Sequence, residues 1–185
     1  VFSSSLIPRM VSLDSETIRG IREEENTADR LCRGITEYLI RISSLSINEK
    51  EHQRVASLLQ IVSDMERVSD YCENISEYAE ELKAQNVSFS GEGAAELKEM
   101  LRVCSDSFTW AVDALAEESR EKALKVIEKE SRADELEISL RSRHMKRLAD
   151  KQCSTEAGIV FLDTLVGLER ISDHSRNIAE EILAG

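Results

Sequence analysis

Apolar residues return every three or four positions through most of this 185-residue chain, and that spacing commits it to helices. Val55, Leu58, Val62, Met65, Val68, Cys72, Ile75, Ala79 and Leu82 draw a single stripe along one side of a helix. With only 7 Gly and 1 Pro, the chain lacks the turn residues that an all-β fold needs at short intervals. An apolar content of 41% is enough to fill a core. The expected fold class is all-α.

Caps and breaks divide the pattern. The long helix just described can start behind Ser46 or Asn48 and stop at the polar Ala84-Gln85-Asn86. Residues 88–93 hold Ser88, Ser90, Gly91 and Gly93, which predicts a linker there. A further apolar series runs from Ala94 through Leu97, Leu101, Cys104, Phe108, Ala111 and Leu115 towards Glu118. Ser119 can cap the next helix, a polar turn covers Asp150 to Ser154, and a last helix spans about Thr155 to Leu183. The second half reads as three helices.

The first half repeats this order. Glu66-Arg67-Val68-Ser69-Asp70 matches Glu169-Arg170-Ile171-Ser172-Asp173, and the same shift carries Asn74-Ile75 onto Asn177-Ile178 and Glu77 onto Glu180. Upstream, Asp14 to Arg19 falls on Ser119 to Leu124, each segment opening on a capping residue. The expected organisation is two tandem three-helix bundles: residues 1–87, a linker at 88–93, and residues 94–185. The counterpart of the helix from Ala94 would begin before Val1. The first bundle's opening helix is therefore expected to be shortened or cut, the chain being a piece of something longer, although Pro8 also suits a short helix.

The charge balance narrows the partners. A net charge of -12 repels phosphate backbones and anionic lipid surfaces, so nucleic acid is not an expected partner. Cys32, Cys72, Cys104 and Cys153 lie far apart with no Cys-x-x-Cys, which argues against a zinc ribbon or a dithiol site and fits a reducing, cytoplasmic setting. No run of about 18 apolar residues and no secretory leader is present in the sequence.

The acidic residues are arranged as well as numerous. Residues four apart on a helix have Cβ atoms roughly 5 to 6 Å apart, so Glu-x-x-x-Asp aims two carboxylates at one spot and costs the helix a few tenths of a kcal/mol in repulsion. Four such pairs obey the repeat: Glu25 with Asp29, Glu66 with Asp70, Glu130 with Asp134, and Glu169 with Asp173. If the helices are antiparallel neighbours, each half can offer four carboxylates to a cation. All-oxygen donors suit Fe(III), Mn(II), Mg(II) or Ca(II), with zinc feasible when other ligands complete its shell. Asn74 and Asn177, one turn beyond Asp70 and Asp173, are candidate additional ligands. Arg67 and Arg170 read as partners of acidic neighbours, His174 ranks below the carboxylates because it points away from Asp173, and His52 and His144 read as surface residues. No Gly-rich phosphate loop or Ser/His/Asp set is present, which argues against an enzyme.

The paired Glu-Arg-Val-Ser-Asp and Glu-Arg-Ile-Ser-Asp segments, each followed by Asn-Ile, resemble the signature of the PhoU family. Glu25/Asp29 and Glu130/Asp134 match that family's other acidic motif. The resemblance implies two tandem three-helix bundles that bind iron, zinc or other metal ions and regulate phosphate uptake without catalysis. It is similar in particular to PhoU-like cytoplasmic domains of sodium/phosphate cotransporter-like proteins; a free-standing regulator of phosphate uptake is the alternative, and a purely structural helical module another. The implied partners are a phosphate transporter's membrane domain or a phosphate-signalling protein, with a homodimer possible.

Overall fold

The computed structural model describes residues 15–185, which form five helices and no strand. These are α1 (Ser15–Ser43), α2 (Glu49–Ala84), α3 (Gly91–Glu117), α4 (Arg120–Ala149) and α5 (Thr155–Ala184). The expected cap at Asp14 and the short helix around Pro8 lie outside the described residues.

Local chemistry sets the boundaries. Asn48 opens α2 with a capping box, accepting from the Glu51 N–H at 3.0 Å while the Glu51 carboxylate accepts from the Asn48 N–H at 2.8 Å. Ser90, Ser119 and Ser154 cap α3, α4 and α5. Because the Ser90 hydroxyl is seated on the Gly93 N–H, α3 starts at Gly91, three residues earlier than the apolar pattern suggests. Two of the glycines that read as linker are thus helical.

Three helices close alike. Asn86, Glu118 and Lys151 take positive φ of 54°, 48° and 55°. The next N–H then reaches back to a carbonyl of the last turn, Val87 to Leu82, Ser119 to Ala114 and Gln152 to Arg147, each at 2.9 Å.

Helices α3, α4 and α5 pack on one another as a three-helix bundle, α1 packs on α2, and α2 packs on α5. The main core holds Phe108, Phe161, Met100, Leu140, Leu165, Ile171 and Ile178, and it extends without a break into Val68, Cys72 and Ile75 of α2 and Ile21 of α1. A smaller cluster of Cys32, Leu39, Val55 and Val62 joins α1 to α2.

The contacts Ser57 to Glu181, Asp64 to His174 and Ile75 to Gly167 rise along α2 while falling along α5, so the two helices cross antiparallel. Tyr71 and His174 are equivalents under the repeat and stack on each other, ring centroids 5.8 Å apart, where the two halves meet.

The halves also differ. Leu136 and Leu140 on α4 are buried, whereas their counterparts Leu31 and Ile35 on α1 are 49% and 45% exposed. Helix α3 covers α4, and no described helix takes the corresponding place over α1.

His144, expected at the surface, is 2% exposed. Its ring stacks on Phe161 at 4.2 Å beside the buried Arg147–Glu96 pair, Nη2 to Oε2 2.5 Å. Burial, then the Arg147 charge, holds its pKa below the ordinary histidine range. A helical stripe that mixes His and Arg with Leu140 disguised this buried polar patch.

Candidate metal centres

The i, i+4 spacing on α1 sets Glu25 above Asp29, and α2 brings Asp70 across to them. One carboxylate oxygen from each of the three lies within 4.8 Å of the other two. The repeat builds the same arrangement again between α4 and α5, where Glu130, Asp134 and Asp173 meet within the same limit. Six of the ten candidate ligands therefore converge, three in each half.

Glu66 and Glu169 are not drawn into either triad. Glu66 is exposed and Glu169 half-buried. Both nonetheless belong to the same electrostatic neighbourhoods. Burial pushes the Cys32 thiol up to about 11, and the carboxylates of Glu66, Asp29 and Asp70 add to the effect. Glu169 is raised by burial first and then by Asp173, against the opposing charge of Arg170. Asn74 is exposed. The Asn177 side-chain amide donates to Asp64 Oδ1 at 3.1 Å.

Like charges in partial burial raise carboxyl pKa values, and the triads show it. Burial lifts Glu25, and Glu73, Asp29 and Asp70 add to it. Asp70 is raised by burial with Asp29 contributing, while Arg67 pulls the other way. Asp134 is raised by burial, then by Glu130 and Asp173. Burial is the leading cause for all three, and neighbouring carboxylates add to it in each.

Asp64, which the repeat does not duplicate, was not legible as a site residue. It is 2% exposed and receives His174 Nδ1 at 2.8 Å, Asn177 at 3.1 Å and Gln60 at 3.0 Å. Burial alone would raise its pKa, but these hydrogen bonds outweigh burial and hold it below the usual carboxylate range. His174 faces this network and the Tyr71 ring.

Hard cations take several carboxylate oxygens at once, and three convergent ones per half fit such an ion by donor chemistry. The family comparison turns on the same segments: the PhoU domain model matches residues 9–79 and again 97–182, one match per half. The chain belongs to the PhoU family. A phosphate-specific transport system accessory protein PhoU homolog 1 from Thermotoga maritima is 29% identical over 98% of this chain and 79% of its own length. A PhoU homolog from Pseudomonas aeruginosa is 26% identical over 94% of the chain and 72% of its own length.

Among solved structures, PhoU from Pseudomonas aeruginosa superposes with a TM-score of 0.78 at 22% identity, covering 96% of this chain and 85% of that one. The phosphate transport system regulatory protein PhoU from Streptococcus pneumoniae reaches 0.83 at 21% identity, covering 97% and 86%. These likenesses establish the all-helical PhoU fold. The PhoU family consists of regulatory accessory proteins rather than enzymes. Among the described residues, no helix is long and apolar enough to cross a membrane.

Proposed function

We propose that this PhoU-family chain is a non-enzymatic accessory regulator of phosphate transport that takes up metal ions at its two acidic triads. The observation carrying the metal reading is the convergence of three carboxylate oxygens within 4.8 Å at repeat-related places in both halves. Glu25, Asp29 and Asp70 would hold one ion, with Glu66 and Glu73 supplying charge nearby; Glu130, Asp134 and Asp173 would hold the other, with Glu169 beside them. Iron or zinc is the expected metal, with manganese, magnesium and calcium suited by the same oxygen donors. A bound cation supplies positive charge between neighbouring helices. The carboxylates that receive it tie α1 to α2 and α4 to α5, so occupancy stiffens each half.

The expected partner is the membrane part of a phosphate transport system or a phosphate-signalling protein on the cytoplasmic side. Relatives named as transport-system accessory proteins favour a PhoU of the free-standing type over a cytoplasmic domain of a sodium/phosphate cotransporter.

Elemental analysis of protein purified without chelator, together with the thermal midpoint on adding Fe(III), Zn(II) or Mn(II), tests the metal reading. Bound metal and a raised midpoint in the wild type, both lost when Glu25, Asp70, Glu130 and Asp173 become Gln or Asn, are expected. Equal and negligible metal in both proteins would sink it.

A further inference from the structure

The two triads are related by the repeat, yet their surroundings are not copies. The shift that carries Asp70 onto Asp173 carries Glu73 onto Arg176. In the second half the Arg176 guanidinium reaches into the triad, Nη1 donating to Glu130 Oε1 at 2.8 Å, while its Nε donates to Glu180 Oε1 at 2.8 Å. The Glu130 side chain it contacts is 6% exposed, so this ion pair is sheltered from solvent screening on one side. In the first half an acid, Glu73, takes that place, and among the described residues no ion pair reaches Glu25.

Other neighbours do not cancel this difference. Arg67 and Arg170 occupy equivalent places and lie 3.6 and 3.0 Å from Asp70 and Asp173, so each half has one such cation. Arg33 lies 3.6 Å from Asp29 on exposed surface. The second half has an additional acid, Glu137, at the position of Cys32, but Glu137 is engaged by Arg141 on its own helix, Nε to Oε1 2.6 Å. Among the described residues, Arg176 is the cation that bridges from another helix onto a triad carboxylate.

Resting on the metal reading above, we infer that the two centres are unequal by construction: Arg176 acts as a resident counter-cation in the second triad, and the first triad, with Glu73 in that place, is the principal cation site. A metal ion entering the second triad must displace the guanidinium from Glu130. Arg176 is 43% exposed and retains Glu180 as an acceptor, so it has somewhere to go. Loading is accordingly ordered, first half before second, and occupancy of the second triad frees Arg176 at the surface of α5.

Mn(II) alone, titrated into the full chain and followed by the electron paramagnetic resonance signal of the free ion, separates the two centres. Glu25→Gln/Asp29→Asn/Asp70→Asn leaves only the second triad, and Glu130→Gln/Asp134→Asn/Asp173→Asn leaves only the first; circular dichroism verifies that each stays helical. The second triad alone is expected to bind at least about tenfold more weakly than the first alone, the range by which residues contacting metal ligands alter affinity. Adding Arg176→Gln to the variant that keeps only the second triad should recover most of that difference. Glu73→Arg in the variant that keeps only the first should weaken it by about the same factor. Equal affinities for the two isolated triads, or no response to Arg176→Gln, overturn the inequality while leaving metal binding intact. No Mn(II) uptake by any of these proteins, wild type included, overturns both readings.

Discussion

Glu25 and Asp70 carry a stability cost that follows from their pKa directions. Both carboxyls are raised in the folded chain, so folding favours their protonated forms, and the cation-free protein loses stability as pH rises above the ordinary carboxylate values of 3.8 for Asp and 4.5 for Glu. Glu25→Gln/Asp70→Asn is therefore expected to raise the thermal midpoint of metal-free protein, with a larger gain at pH 7 than at pH 4, and to reduce the midpoint shift produced by added cation. Scanning calorimetry at both pH values checks it; a variant less stable than wild type at pH 7 contradicts the cost of burying these charges beside other carboxylates. The i, i+4 pairs were legible because helical spacing places Glu25 over Asp29 whatever the helix packs on. Asp64 and Arg176 were not, because their roles depend on contacts made across helices, which no periodicity within one segment encodes. His144 was misplaced for the related reason that a polar side chain in an apolar stripe gives no sign of the aromatic ring waiting for it.

Helix ends were readable where a side chain does the capping and less so where the backbone does. Asn48 and Ser119 announce their helices because Asx and hydroxyl side chains satisfy first-turn N–H groups. The start at Gly91 was missed because two glycines two places apart look like a linker, although the Ser90 hydroxyl anchors them into the first turn. The closures at Asn86, Glu118 and Lys151 place non-glycine residues in the left-handed region, which costs roughly 1 kcal/mol each and less for Asn. Lys151 is exposed. Lys151→Gly is expected to stabilise the protein by up to about 1 kcal/mol, read as a higher urea midpoint at unchanged slope. A loss of stability would mean that the added freedom of the unfolded chain outweighs the relieved backbone.

At the scale of the whole molecule, the two halves are distinct in sequence but share an interior. Val68, Cys72 and Ile75 of α2 lie in the same core as Leu165, Ile171 and Ile178, so α2 cannot leave without exposing the second half. Residues 15–185 are expected to unfold in a single transition with equal calorimetric and van't Hoff enthalpies; two resolved heat-absorption peaks would refute the shared core. The repeat itself was plain from the duplicated acidic motifs, but their antiparallel crossing was not, since a sequence repeat specifies equivalence and says nothing of how equivalents meet. That crossing puts Tyr71 against its own counterpart, His174, the signature of a self-matching interface between two like bodies. In an assembly of identical subunits, any substitution enters both sides simultaneously, so an Arg opposite an acid would appear twice or not at all. Covalent tethering lifts that restriction: each lobe keeps its mate at fixed local concentration while accumulating its own changes, and Tyr opposite His, or Glu answered by Arg, becomes a difference that a symmetric pair could never hold.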